Sequence, residues 1–349
     1  MTKALITGAT GFIGRAVADS AARRGIELRF LLRSDKYIDQ VQHLKFERAY
    51  GDVTDPESLR KACDGVDAVF HVAAMYSMWV RDIDLLMKTN VEGARAMVRA
   101  AMDAGVKKII YTSSVSAIGH RDDGKPSDET VEWNLEFTKD PYTKSKHLAN
   151  LAVNELVKQG APVITMHPTA PIGRGDIKPT PTGQMYIDFI NGKVPVWFDG
   201  GFSVVDVEDC GEGHLLAYEK ARVGEHYILA AENRTLKELF DLTSELMGIP
   251  KIKMKVSKGM AVCAGGLMEW MSNSITKQTP VLTAGGARMT CLPPFYDGSK
   301  AVRELGLKYT PIRESFEKML WYFYERGWIK KKPLSGEPRW KIGAGRLLK

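Results

Sequence analysis

Leu5-Ile6-Thr7-Gly8-Ala9-Thr10-Gly11-Phe12-Ile13-Gly14 closes an apolar run that begins at Lys3, and from Phe12 through Val17 and Ala18 to Ala21 the apolar positions recur at helical spacing. The passage reads as strand, tight turn, helix. Glycines at 8, 11 and 14 admit backbone torsions closed to other residues and let the main chain approach a pyrophosphate. The free amides and positive dipole end of the helix favour its negative charge. The spacing is not the G-x-G-x-x-G of the dinucleotide fingerprint, so the match is in logic rather than letter by letter. Position adds weight, because the turn follows the first strand, opens a helix and leads to a second strand, Glu27 to Leu32. Gly8, Thr10, Gly11, Phe12, Ile13 and Gly14 are therefore the candidate cofactor loop.

The end of that second strand selects the cofactor. An acid there would bond the adenosine ribose hydroxyls, whereas an arginine meets a 2′-phosphate. Arg33 stands at that place, followed by Ser34, so NADP(H) is expected ahead of NAD(H). The other reading makes Arg33 a solvated turn charge and Asp35 the ribose ligand.

Tyr142 and Lys146 lie one helical turn apart on one face, a spacing that allows the ammonium to sit beneath the phenol and lower its pKa from about 10. The same pattern recurs at Tyr296 and Lys300. Position separates the two. Tyr142 opens an apolar-periodic helix (His147, Leu148, Leu151, Ala152, Leu156) after a strand from Lys108 to Ser113 whose polar end carries Thr112, Ser113 and Ser114. Tyr296 precedes a C-terminal surface helix and reads as structural.

Eight segments in order carry a family resemblance: TGATGFIG ending at Gly14, GDVTD at Gly51 to Asp55, HVAA at His71 to Ala74, TNVEG at Thr89 to Gly93, YTSSVSAIG at Tyr111 to Gly119, PYTKSK at Pro141 to Lys146, HPTAPIG at His167 to Gly173, and DGSKAVRELG at Asp297 to Gly306. Over residues 1 to about 328 the chain resembles an extended short-chain dehydrogenase/reductase, in the branch of dihydroflavonol 4-reductase, 3β-hydroxysteroid dehydrogenase and the nucleotide-sugar epimerases. The resemblance implies that Ser114 polarises a substrate carbonyl, that Tyr142 is the proton donor, and that Lys146 bonds the nicotinamide ribose and holds the phenol pKa down. Asn90 falls where the wider superfamily anchors a proton-relay water. Asp52 and Val53 would meet adenine, Ala73 and Ala74 the path past ribose and phosphates, with Thr112 nearby, and Pro168 with Thr169 the nicotinamide amide. The bland alternatives are Asp52 as a turn former, Asn90 as a helix hydrogen-bonder and Ser114 as a strand-end polar residue. The implied chemistry is hydride transfer at a carbonyl carbon, with the charge on oxygen stabilised by Ser114 and neutralised by Tyr142.

The last third departs from the nucleotide-sugar enzymes. Where those often carry a diphosphate-clamping arginine before the strand equivalent to Val204–Val207, this chain has Phe202 and Ser203. Tyr76, Trp79, Met185 and Trp197 are the candidate substrate residues, an apolar set suited to a bulky hydrophobic molecule, although each also fits an ordinary core. HVAAMYSMWVRD, KPTPTG and DFINGKVP resemble proteins labelled hopanoid-associated sugar epimerases. A reductase or dehydrogenase acting on a hydrophobic ketone or alcohol, of lipid, terpenoid or steroid-like kind, is preferred. Nucleotide-sugar epimerisation or dehydration is the runner-up, and a cofactor-sensing protein without chemistry is the minor alternative.

The alternation of strands and helices through Met166 gives an α/β, Rossmann-type doubly wound parallel sheet with a smaller C-terminal substrate lobe. Residues 1–169 are expected to bind NAD(P), residues 170–329 to form the lobe with late strands returning to the sheet, and residues 330–349 to be a basic tail. The net charge of +7 resides mostly in that tail, where seven basic residues face only Glu337 and Trp340, Ile342, Leu347 and Leu348 are interleaved. It reads as a solvated terminus or as a peripheral contact with the inner face of an anionic membrane, and nothing suggests nucleic acid. The first strand begins at residue 3 and no apolar run approaches the roughly 18 residues of a span, so a cytoplasmic protein without a leader is expected. The four cysteines are far apart, which suggests free thiols and no metal site. The apolar run from Met260 to Met271 reads as a lid or lobe-packing element. Among the resembling enzymes a homodimer commonly forms through helices that here would be roughly Asp82 to Ala104 and Tyr142 to Lys158.

Overall fold

A computed structural model describes residues 2–77, 79–80, 82–277, 279–291 and 295–336. Strand β1 (Lys3–Thr7) turns into α1 (Phe12–Arg23), followed by β2 (Glu27–Leu32), β3 (Phe46–Tyr50), α2 (Pro56–Cys63) and β4 (Ala68–His71). Helix α3 (Ile83–Met87) runs through a π-helical turn (Lys88–Glu92) into α4 (Gly93–Asp103), then come β5 (Lys108–Thr112), α5 (Pro141–Lys158) and β6 (Val163–Pro168). The second half holds β7 (Ala170–Ile172), α6 (Pro181–Ile190), β8 (Val196–Trp197), β9 (Gly201–Asp206), α7 (Val207–Lys220), β10 (His226–Leu229) and β11 (Glu232–Thr235). It ends with α8 (Leu236–Met247), β12 (Met254–Lys255), α9 (Lys258–Met271), α10 (Ala284–Cys291) and α11 (Ile312–Glu325).

Seven strands form one parallel sheet in the order β10-β6-β5-β4-β1-β2-β3. Strands covered on both faces are buried throughout, as β4 and β6 are along their whole length, with His71, Thr165 and His167 the buried polar exceptions to their apolar sequence. The order reverses between β1 and β4, which places a ligand crevice beyond their carboxyl ends. One core layer, with Ile6, Phe30 and Phe70, lies under α1 and α7; the other, with Leu5, Leu31 and Val69, lies under α2, α4 and α5. The chain returns to the sheet at β10 after its excursion into the lobe. The lobe has its own core of Tyr186, Phe189, Phe240, Phe316 and Phe323.

The first residues of the expected basic tail are ordered against the lobe. Residues 330–336 lie against the lobe: Leu334 N donates to Leu246 O at 2.8 Å, and Trp321 Nε1 donates to Ser335 Oγ at 3.1 Å. Lys332 Nζ stands 5.2 Å from the Trp321 ring centre. The interleaved basic and apolar positions from Glu337 onward lie outside the described residues. No helix among the described residues is long and apolar enough to cross a membrane.

Candidate functional site

The β1–α1 turn is shaped for an anion. Gly8 has φ +73°, and a side chain there would meet Ala73 N at 2.8 Å. At Gly14 a side chain would overlap the Gly8 carbonyl oxygen, 2.0 Å away. The Gly11 amide donates to that same oxygen at 2.9 Å and closes the turn. Gly11 caps α1 without a side chain, and the first turn holds no acidic residue, so among the described residues the amides of Phe12 and Ile13 and the helix's positive end have no side-chain acceptor. Exposed Gly11 and half-buried Thr10 line the approach. This chemistry fits a dinucleotide pyrophosphate.

At the adenosine end Arg33 is exposed just beyond β2. Asp35, the competing candidate, is turned to β3, where its Oδ1 accepts from Tyr50 Oη at 2.9 Å and lies 3.7 Å from Arg48 Nε. Asp52 Oδ1 accepts from Thr54 N at 2.8 Å and Thr54 Oγ1 at 2.7 Å, the geometry of a turn former. Burial opposes its ionisation, yet these bonds and the charges of Arg33 and Lys88 hold the carboxyl below its usual range. The Val53 side chain packs into the core under α4, so only its backbone remains for the adenine contact that the resemblance implies. Ala73 N donates to Thr7 Oγ1 at 3.1 Å, and Ala74 is exposed beyond it.

Asp140 caps α5 by accepting from Thr143 N at 2.7 Å, and Pro141 opens the helix, so Tyr142 and Lys146 occupy its first turns. Tyr142 is 8% and Lys146 3% exposed. Lys146 Nζ donates to Thr112 O at 3.1 Å and lies 5.9 Å from the Tyr111 ring centre. Ser114, just past β5, accepts from Ser116 N at 3.1 Å through Oγ, which leaves its hydroxyl proton free to point to the phenol side. The Tyr76 ring lies 4.8 Å from that of Tyr142 at 51°. Burial pushes the Tyr142 phenol well above its usual range, Tyr76 adds to this, and the Ser114 hydroxyl acts in the opposite sense. Burial also brings Lys146 down to about 8. Desolvation dominates both groups, and the ammonium is bonded to the Thr112 carbonyl.

Asn90, in the π-helical turn, commits its side-chain amide to protein partners, in line with the hydrogen-bonding alternative. Its Oδ1 accepts from Met75 N at 2.7 Å, and its Nδ2 donates to Met75 O and Ser145 Oγ, each at 3.0 Å. The amide braces the loop after β4, which carries Tyr76, against α5. The Thr112 hydroxyl donates to His214 Nε2 at 2.9 Å, since His214 Nδ1–H is committed to Cys210 O at 2.6 Å; only the Thr112 carbonyl faces Lys146. Pro168 ends β6, and Thr169 Oγ1 donates to Leu229 O at 2.8 Å, so its side chain is held by β10.

Of the substrate candidates, only Tyr76 meets Tyr142. Half-buried Trp79 donates from Nε1 to Asn273 Oδ1 at 2.9 Å. Met185 and Trp197 pack on the lobe core instead, and Trp197 lies under the ammoniums of Lys237 and Lys255, 5.9 and 5.1 Å from its ring centre. In β9 the Phe202 position pairs with Arg234 of β11, whose guanidinium is held by Glu232 at 2.6 Å and Glu238 at 3.8 Å. Tyr296 is structural as expected: its hydroxyl donates to Val115 O at 3.2 Å, while Lys300 turns to Glu225 at 2.8 Å.

Two groups had no readable signal. Asp176, 3% exposed, accepts from Thr180 N and Oγ1, each at 2.8 Å; burial raises its carboxyl to about 6, and its charge reaches Tyr76. His167 donates from Nδ1 to Ser114 O at 3.0 Å and accepts at Nε2 from His226 Nδ1 at 2.9 Å, bracing the backbone beneath Ser114. His167 lies inside a segment that carried the family resemblance, but nothing in that pattern indicated the bond.

A doubly wound sheet with an anion-shaped turn at its switch point and a buried Ser-Tyr-Lys constellation beside it defines a nicotinamide-dependent enzyme of the short-chain dehydrogenase/reductase superfamily. The chain belongs to the NAD dependent epimerase/dehydratase family, whose model matches residues 4–230. It is 32% identical to a putative dihydroflavonol 4-reductase of Synechocystis sp. over 332 residues, covering 93% of this chain and 95% of that protein. It is 30% identical to sterol demethylase protein B of Methylococcus capsulatus, covering 93% and 99%. The crystal structure of gox2253 superposes with a TM-score of 0.84 at 38% identity, covering 94% of this chain and 100% of that one.

Proposed function

We propose that the chain is an NADP(H)-dependent ketone reductase, or alcohol dehydrogenase in reverse, acting on a hydrophobic substrate of lipid, terpenoid or steroid-like kind. The observation that carries this reading is the Tyr142 phenol, buried against the Tyr76 ring and beside the Ser114 hydroxyl; in β9 the chain has Phe202 where nucleotide-sugar enzymes often carry a diphosphate-clamping arginine. A sterol-related and a dihydroflavonol-related name among the relatives support an apolar substrate. NADP(H) is supported by a cationic cluster at the adenosine end: Arg33 is exposed, and Lys36 and Lys178 stand 5.2 and 5.0 Å from the Tyr37 ring centre.

The glycine loop would hold the pyrophosphate and Arg33 the 2′-phosphate, and the bound nicotinamide supplies hydride to a carbonyl carbon. Ser114 donates its hydroxyl hydrogen bond to the carbonyl oxygen, where negative charge develops. Tyr142 transfers its proton to that oxygen, and Lys146 stabilises the phenolate left behind. In the oxidative direction Tyr142 takes the proton back. Tyr142→Phe is expected to bind NADPH as the wild type does and to lose at least about a hundredfold in turnover on hydrophobic ketones, followed by NADPH consumption. Retained turnover would remove Tyr142 from the chemistry. Arg33→Asp should move the KM ratio toward NADH; equal preference in both proteins would refute the 2′-phosphate assignment.

The family description also favours a second reading, epimerisation or dehydration of a nucleotide sugar. Stoichiometry separates the two, because an epimerase regenerates its nicotinamide within each cycle whereas a reductase consumes NADPH in bulk.

A further inference from the structure

Helix α9 presents its large side chains to the outside. Of its 14 residues only Ala261 and Gly265 are buried, and a side chain at Gly265 would stand 2.7 Å from the Thr283 carbonyl oxygen, so the helix meets α10 through a seam of small residues. Met260, Leu267 and Met271 fall on one outward stripe, Trp270 lies beside it, and Ile275 extends it into the π-helical turn Ser272–Thr276. Leu267 is 59%, Trp270 58% and Ile275 64% exposed. An isolated exposed apolar residue needs no explanation, but a contiguous set on one helix marks a surface that meets something apolar.

Charge identifies the partner. Exposed Lys253 and Lys258 flank the start of the helix, and neither has a carboxylate within 4.0 Å among the described residues. From Lys253 to Lys277 the only acidic residue is Glu269, which is half-buried and accepts from Ala284 N at 3.3 Å. A second copy on a two-fold axis would bring these lysines against their equivalents. An apolar stripe with a cationic rim, on a helix too short to span, suits an interface of acyl chains and anionic headgroups. We propose that this face of α9 docks the protein on an anionic lipid bilayer, with the helix parallel to the surface.

The docking face reaches the candidate site through one bond. Trp79, hydrogen-bonded to Asn273 of the π-helical turn, shares the loop after β4 with Tyr76, which packs on Tyr142. Docking would therefore hold that loop at the bilayer, where an apolar substrate resides; this consequence rests on the proposed function, whereas the docking itself does not.

Cosedimentation of the full-length protein with phosphatidylcholine vesicles and with vesicles of equal phosphatidylcholine and phosphatidylglycerol tests the proposal. Wild type should bind the mixed vesicles. Leu267→Glu/Trp270→Glu should weaken that binding at least about tenfold with an unchanged melting temperature, and Lys253→Glu/Lys258→Glu should lose the preference for anionic vesicles. If the first variant does not fold, Met260→Gln/Trp270→Ser should give a smaller loss in the same direction. The proposal is overturned if wild type binds neither vesicle or if the α9 variants bind as wild type does, as they would were residues 337–349 the sole anchor. A change of oligomeric mass by light scattering without any effect on lipid binding also overturns it, because the face would then be a subunit contact.

Discussion

Asp176 shows how burial alone sets a residue's chemistry. It accepts two hydrogen bonds from Thr180, which favour the charged form, yet desolvation is larger and its carboxyl rises from 3.8 to about 6. Between those values the folded protein holds a proton that the unfolded chain has released, so its contribution to stability falls as pH rises through the window. The loss at neutral pH has a ceiling of about 3 kcal/mol, taking roughly 1.4 kcal/mol per pKa unit. Asp176→Asn keeps a carbonyl acceptor for Thr180 and carries no charge. It should be more stable than wild type near pH 7, with the advantage shrinking toward about pH 4. Urea unfolding at the two pH values reads this, and a difference that does not change with pH would show that the carboxyl is not held protonated. The sequence offered no route to this group, because Asp176 lies in a loop rich in proline and glycine, where neither periodicity nor helical spacing reports burial.

At the scale of elements, the β1–α1 turn and the start of α5 were legible because their information is local. A buried strand, glycines where a side chain would strike backbone, and a phenol and an amine one turn apart are all written in consecutive residues. Met185 and Trp197 were less legible for the converse reason: their surroundings are set by α8, α11 and β12, elements distant in the chain, and an apolar side chain fits a core as readily as a pocket. Asn90 falls between the two cases, since its position was readable but its bonds to Met75 and Ser145 depend on how the loop after β4 meets α5. The glycine turn also separates folding from binding. Gly14→Ala places a Cβ 2.0 Å from the Gly8 carbonyl oxygen and should cost about 2–3 kcal/mol of stability. Gly11→Ala meets that atom at 3.2 Å, a close contact that a backbone shift of a few tenths of an ångström relieves, on an exposed position at the mouth of the crevice. It should leave stability within about 1 kcal/mol of wild type while weakening NADPH binding, measured by fluorescence titration. Equal effects of the two substitutions on melting temperature would refute this division.

Over the whole molecule, four buried histidines are kept neutral by desolvation. His71 and His167 fall to about 3, and His120 and His214 to about 4. None sits on an exposed face, and three of them are tied into hydrogen bonds that brace the sheet: His71 to Thr7 at 2.8 Å, His167 to Ser114 O at 3.0 Å, and His214 between Thr112 and Cys210. The unfolded chain protonates all four near pH 6.5 and the folded one does not, so below that value the unfolded state binds more protons and stability drops as pH falls toward the folded values. Asp176 and Asp209, both raised to about 6 by burial, act in the opposite direction between about pH 6 and 4. Glu129 and Asp140, also raised by burial, act with them; four imidazoles displaced by about three units still outweigh these carboxyl groups, so the net slope follows the histidines. The melting temperature should hold near neutrality and fall steeply from about pH 6 downward, while His120→Asn, which removes one buried ring with an unpartnered Nε2, should flatten that fall. A melting temperature that stays level between about pH 7 and 5 would mean that these rings take up protons in the folded state, and the bracing of Ser114 by His167 would then have to survive an imidazolium in the core.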